Sequence, residues 1–197
     1  VGTDSARVVA GQGDAWDTGL MASDLISARY AGIPLKPRTR YYWQVAVTDD
    51  TGRKALSDVA YFETGKMGVD AWQGNWISDH HDCKHQPAPY FRKKFSVGKP
   101  VRSARIYVAV AGLYQLHLNG RRLGDTMLDP VYTRFDRRNM YVTYDVTSAI
   151  KQNENVVGIV LGNGWYNHQP LAVWNFETAP WRNRPAFCMD LHLTYED

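Results

Sequence analysis

The chain has 197 residues, a net charge of +3 and an apolar content of 44%, enough for one large or two small packed domains. No basic run exceeds two residues outside Arg92-Lys93-Lys94, so the footprint of a nucleic-acid binder is missing. No apolar run approaches the roughly 20 residues of a membrane-spanning helix.

Two cysteines, Cys83 and Cys188, are too few for a disulfide framework. Buried free thiols are the favoured reading and a single bridge the alternative. Aromatic residues make up 13%, with 7 Trp and 12 Tyr. That bias suits β-sheets, and also ring platforms that stack on flat apolar ligand faces. Val1 opens in a strand-like stretch and residues 195–197 stop where a hairpin turn is due, so a piece of a longer polypeptide is expected.

Residues 1–65 read as short strands between turn signals, the pattern of a small β-sandwich. Trp16-Asp-Thr-Gly19 is a turn, residues 27–31 a short strand, and the Pro-bearing 32–38 a loop that excludes helix. Residues 41–47 alternate, with Tyr41, Trp43, Val45 and Val47 on one face. Trp43 is the expected core anchor. Asp49-Asp-Thr-Gly52 is a second turn, and residues 59–64 close the unit. Residues 66–75 read as a linker.

Residues 76–197 are organised around a hairpin. Leu113-Tyr-Gln-Leu-His-Leu118 is followed by Asn119-Gly120, the pair best suited to a turn with positive φ at both central residues. Before it, Ile106, Val108 and Val110 alternate with Tyr107, Ala109 and Ala111. After it come a strand at 141–147 and the nearly continuous apolar run 155–161, which suits a strand covered on both faces. Residues 187–195 alternate and form the last strand. Helical periodicity is almost absent; one turn is expected after Thr147 or Ser148.

The motifs that carry chemistry are few. Gly11-Gln-Gly13 and Gly162-Asn-Gly164 lack the strand-turn-helix setting of a phosphate loop. His80-His-Asp-Cys-Lys-His85 is rich in metal-ligand types, but no second spaced pair accompanies it, so it reads as a solvated loop. Asp125, Asp129, Asp136, Asp145 and Glu177 show no pair that flanks a scissile bond; Asp145 is expected to cap a turn. The loop 162–184 stands out. Trp165, Tyr166 and Trp174, with Tyr132, offer ring faces, and Asn119, Asp125, Asn163, Asn167 and His168 offer donors and acceptors. Those are the groups a sugar site needs.

An ordered series of motifs carries a resemblance. It runs through Trp16-Asp-Thr-Gly19, Tyr41-Tyr-Trp-Gln-Val45, Phe62-Glu-Thr-Gly65, Trp72, Trp76-Ile77 and Phe91-Arg-Lys93. It continues with Ala111-Gly-Leu-Tyr-Gln-Leu-His-Leu-Asn-Gly120, Leu128-Asp-Pro130 and Leu161-Gly-Asn-Gly-Trp-Tyr166. Together these resemble the N-terminal region of bacterial α-L-rhamnosidases, glycoside hydrolase family 78. The resemblance implies an all-β chain: a partial fibronectin type III-like sandwich over residues 1–65, a linker over 66–75, and a jelly-roll, galactose-binding-like β-sandwich over 76–197. It further implies that strands are missing at the start of the first domain and at the end of the second.

What the resemblance implies for function is an accessory piece of a secreted or periplasmic enzyme. The parent would remove terminal α-L-rhamnose with inversion in an (α/α)6 barrel outside this chain, so no catalytic residue is expected here. Rhamnose-containing glycosides and the catalytic domain of the same polypeptide are the implied partners. Some family members bind rhamnose with calcium on this sandwich. The resemblance carries that role onto Asn119, Asp125, Asn163 and Trp165, with calcium as the accompanying ion, and the ring and amide reading adds Tyr132 and Tyr166 to the sugar-binding expectation. The family's usual Pro-Gly-Trp-Thr stands here as Pro130-Val-Tyr-Thr133, which keeps a ring and loses a glycine. The alternatives are a free-standing carbohydrate-binding module and an accessory domain of a β-galactosidase-like hydrolase.

Overall fold

The computed structural model describes every residue except Val69 and Ala172, which lie within the expected linker and the 162–184 loop. The described chain divides into two units, Val1–Ala71 and Trp72–Asp197. Both are built almost wholly from strands and loops.

The first unit opens with a short helix, α1 (Ser5–Val9), whose start is capped by the Asp4 carboxylate accepting from the Ala6 and Arg7 amides. The cap is a strong local signal, but five residues are too few to show an apolar period, and sequence reasoning missed the helix. Strands β1 (Arg40–Trp43) and β4 (Ala60–Glu63) pair antiparallel, as do β2 (Ala46–Thr48) and β3 (Lys54–Leu56). The run 41–47 is thus two strands. It changes partner at Gln44 and Val45, where Ser57 accepts from the Val45 amide through its hydroxyl and donates its own amide to the Val45 carbonyl.

Two expectations fail in this unit. Trp43 is not the core anchor: it is 37% exposed, whereas Tyr41 on the same face is 2% exposed. Phe62 stacks on the Tyr41 ring, and the Tyr41 hydroxyl accepts from the Lys36 amide; among the described residues no ring packs on Trp43. Residues 27–31 form no strand, because no ladder partner reaches them. Tyr30 is tethered instead by its hydroxyl, which donates to the Ala15 and Ile33 carbonyls. The two Asp-initiated turns form as expected, with Asp17 and Asp49 accepting backbone amides and Gly19 and Gly52 at positive φ.

The second unit is a sandwich of two antiparallel sheets. Its strands are β5 (Tyr90–Val97), β6 (Val101–Ala111), β7 (Leu113–Leu118), β8 (Arg121–Arg122), β9 (Tyr141–Asp145), β10 (Asn153–Gly162) and β11 (Ala186–Tyr195). One sheet has the order β5-β10-β7-β8 and the other β11-β6-β9. The core between them holds Ile106, Val108, Val110, Leu116, Leu118, Ile159 and Leu161. The hairpin turn is as expected, with φ of 53° at Asn119 and 82° at Gly120. The Asp145 carboxylate accepts from the Thr147 amide, the expected cap, and a 3₁₀ turn follows at Thr147–Ala149.

The strand covered on both faces is β6, not β10. From Ile106 to Ala111 every residue is buried, while β10 alternates between buried and half-exposed. The cover on the outer face of β6 comes from the segment after Ala71. Asp190 on β11 accepts from the Gln73 and Gly74 amides, Ile77 bridges Phe187, and Trp72 meets Tyr141 edge-on, beside Tyr107. Residues 72–75 are therefore docked on the sandwich and are not spacer. Gly74 has to be glycine, since a Cβ there would lie 2.6 Å from the Met189 carbonyl oxygen. Between the edges of β5 and β11 a cleft of about 500 Å³ opens toward Phe91, Phe95, Ile106, Ile159 and Met189.

Candidate functional site

Strand β10 ends at Gly162, opposite Leu113 on β7. The chain then turns sharply. The Asn167 amide donates to the Asn163 carbonyl, and the Asn167 side chain donates to Asn163 Oδ1. Gly164 has a φ of 51°, and a Cβ there would lie 2.9 Å from Leu113 Cγ. This tight turn pushes Trp165 outward to 41% exposure.

A cluster of rings forms around the turn. Trp165 stacks on His168 with centroids 5.0 Å apart, and it lies 5.3 Å from Phe176 and 6.3 Å from Trp174. Phe176, on a 3₁₀ turn entered through the left-handed Asn175, also meets Tyr132 at 5.9 Å and Trp181 at 6.4 Å. Phe135 joins Tyr132 to Tyr166, at 5.7 and 5.2 Å. Burial pushes the Tyr166 hydroxyl up from its usual pKa. Trp174 is 69% and Tyr132 49% exposed, so the cluster presents open ring faces over a packed base. Two buried polar atoms beside it, Glu177 Oε2 and Trp181 Nε1, have no hydrogen-bond partner among the described residues.

Polar anchors hold this loop. Arg182 donates to Asn167 Oδ1 and to the Glu177 carbonyl. Gln169 donates to the Cys83 carbonyl. Arg184, 2% exposed, binds the Asp79 carboxylate and the carbonyls of His85 and Pro87. The loop 79–87 and the aromatic loop are thus fastened to each other.

The structure gathers Tyr132, Trp165 and Tyr166 in one ring cluster and sets Asn119 apart from it. Asn163 is in the same turn, but its Oδ1 is used on Asn167. Asn119 sits at the opposite end of the six-residue β7, about 20 Å away at the rise of a strand. Its Oδ1 accepts from the Val156 amide, and its Nδ2 donates to Asn155 and to the Ala149 carbonyl. Asp125 is exposed in the loop that runs back along β7 from Leu123 to Asp129. Sequence reasoning missed Phe135, which no nearby motif marks.

Among the described residues no three His, Cys, Asp or Glu side chains gather to hold a metal. Calcium needs several oxygen ligands, carboxylates foremost, and Asp125 is not joined by others, so the residues present do not fit that ion. His80, His81 and His85 stack ring on ring at 4.2 and 3.9 Å in an exposed loop. Neither Cys83 nor Cys188 is in a disulfide; the first is half-buried, and the second, buried on β11, donates its thiol to the Gly74 carbonyl.

Comparison with known proteins accounts for both units. The family model described as Alpha-L-rhamnosidase N-terminal domain matches residues 99–197, and that of the Rha78A-like N-terminal immunoglobulin domain matches residues 2–68. An α-L-rhamnosidase of Formosa agariphila is 32% identical over 202 aligned residues, covering 90% of this chain and 20% of its own. The solved α-L-rhamnosidase of Dictyoglomus thermophilum superposes with a TM-score of 0.84 at 31% identity, over 100% of this chain and 23% of its own. The α-L-rhamnosidase of Streptomyces avermitilis, solved with L-rhamnose, superposes with a TM-score of 0.85 at 20% identity, over 100% of this chain and 35% of its own, a likeness of fold. The chain spans about a fifth of the length of the Formosa relative. It belongs to the α-L-rhamnosidase N-terminal domain family.

Proposed function

We propose that this chain is the non-catalytic, sugar-handling front portion of an α-L-rhamnosidase. Hydrolysis of terminal α-L-rhamnose would then be carried out by the remainder of the polypeptide. The observation that carries the reading is the open ring surface of Trp165, Trp174 and Tyr132 around Phe176, in a chain of this family. L-Rhamnose is a deoxysugar, and its methyl group and axial–equatorial pattern give it an unusually apolar face. Such a face stacks on aromatic rings while the hydroxyls seek donors and acceptors. A secreted or periplasmic location suits substrates met outside the cytoplasm, and cell fractionation tests it. Among the described residues no helix is long and apolar enough to cross a membrane.

The test is a titration with L-rhamnose that follows Trp fluorescence, with D-galactose as control and with calcium present or absent. Rhamnose-selective quenching that is lost in Trp165→Ala supports the reading. An identical response to both sugars, or to neither at millimolar concentration, removes sugar handling and leaves these domains as a frame for the catalytic part.

A further inference from the structure

A second hollow lies on the outer face of the β5-β10-β7-β8 sheet and shares no lining residue with the ring cluster of the aromatic loop. It is about 350 Å³ and sits over β10, lined by Tyr90, Arg92, His117, Val156, Gly158 and Val160. That volume is within the roughly 300–1,000 Å³ of small-ligand sites. Its floor is set by register: Gly158 is paired with Arg92 on one side and with His117 on the other. The two side chains therefore flank the glycine across two strand spacings, about 10 Å. Phe91 and Phe95 face the core, so strand alternation turns Tyr90 and Arg92 outward.

Gly158 is the informative residue. A glycine within a strand weakens it, and it often marks a place where a ligand approaches the backbone closely. No steric need explains it here. Its φ is not among the positive values, and a Cβ would meet only the Phe91 carbonyl oxygen, at an ordinary 3.7 Å. What the missing side chain provides is an open floor between Arg92 and His117. Neither side chain of those two has a hydrogen-bond or ion-pair partner among the described residues. The face of the sheet that bears the hollow carries Arg92, Lys94 and Arg122, the last opposite His117 and donating to the Thr126 carbonyl, against one acid, Glu154, which is paired with Lys94 at 3.1 Å. Tyr90, 76% exposed, stands at the rim as a free ring.

We propose that this hollow is a binding site for an anionic sugar, a pyranose bearing a carboxylate or a sulfate ester. The oxyanion lies between the Arg92 guanidinium, whose planar fork suits such groups, and the His117 imidazole. The ring lies over Gly158, with Tyr90 against its C–H edge. The site is independent of the aromatic loop, and its success or failure does not depend on rhamnose binding there.

The test is calorimetric titration of the 197-residue chain with D-glucuronate, with D-glucose 6-sulfate, and with D-glucose as the neutral control. At least one anionic sugar is expected to bind tenfold or more tightly than D-glucose, and the one that does identifies the group as carboxylate or sulfate. Arg92→Ala should weaken that binding at least tenfold. Gly158→Val should abolish it while leaving the melting temperature unchanged or raised, because valine suits a strand. Trp165→Ala should leave it intact. Equal binding of D-glucose and both anions, or full binding retained by a folded Gly158→Val, overturns the proposal.

Discussion

Arg184 and Asp79 form a two-pronged ion pair, Nε to Oδ1 at 2.8 Å and Nη2 to Oδ2 at 2.5 Å. The Arg184 side chain is 2% and that of Asp79 17% exposed. The same guanidinium binds the His85 and Pro87 carbonyls, so a single side chain fastens the loop 79–87 to the start of β11. Replacing Arg184 by alanine strands the Asp79 carboxylate and two carbonyls, a loss of about 3 kcal/mol for a broken, largely buried pair. Thermal unfolding of Arg184→Ala measures it, and a melting point within a degree of the parent would contradict this account.

The same pair sets a pH dependence. The Arg184 hydrogen bonds hold the Asp79 carboxyl at about 2, below its ordinary value of 3.8. A carboxylate depressed in the folded state stabilises the fold at pH values above its unfolded pKa, and that stabilisation fades as pH falls through the folded value. Stability should therefore drop between about pH 4 and pH 2, and the drop should be smaller in Asp79→Asn. Denaturant midpoints taken along that range would show the difference between the two proteins.

In the first unit, Tyr41 and Trp43 should answer differently to truncation. Tyr41→Ala removes a ring that is 2% exposed and stacked on Phe62, a change that costs about 3–5 kcal/mol for a buried aromatic. Trp43→Ala removes a ring that is 37% exposed and should cost about 1 kcal/mol. A larger effect at Trp43 than at Tyr41 in the same unfolding assay would reverse the assignment of the core.

Asn119 should prove structural. It occupies a left-handed turn position and satisfies Val156, Ala149 and Asn155 at once. Asn119→Ala should lose about 2 kcal/mol, from stranded partners and from the positive φ. Sugar titrations of the variant at a temperature where it stays folded should match the parent, since the residue is at the far end of β7 from Trp165. Loss of a rhamnose response there would bring Asn119 back into the site.

Asp190 holds the segment that covers β6. With its carboxylate gone, the Gln73 and Gly74 amides lose the acceptor they share, each an uncompensated donor near the sheet. In Asp190→Ala those two amides should exchange with deuterium at least tenfold faster, while the Ile106 and Val108 amides keep most of their protection. Unchanged exchange at Gln73 and Gly74 would mean that another contact holds the segment.

Much of the fold was legible because it rests on local chemistry. Asn119-Gly120 announces its turn by the backbone freedom that both residues have, and Asp49 announces its own by reaching the amides after it. Alternation marked β1, β6 and β11 without reference to partners. The candidate site was legible in part. Trp165 and Tyr166 stood out in a loop of glycine and amide residues, and Tyr132 stood out by its ring. Phe135 was not visible, because a single ring in a charged stretch has no pattern until its neighbours arrive.

The primary structure alone thus determined the strand alternation, the turns and the type of chemistry on offer, since these follow from the φ preferences, side-chain periods and functional groups of adjacent residues. Only the tertiary structure decided which faces are dry and which groups meet. Tyr41 is covered and Trp43 is not because Phe62 and the Lys36 amide arrive from elsewhere in the chain. β6 is covered twice because Asp190 pins Gln73 and Gly74 across its outer face. Arg92 and His117 flank Gly158 because three strands far apart in the chain share one register. Burial and convergence are properties of partners brought together over long stretches of chain, and local pattern carries no record of them.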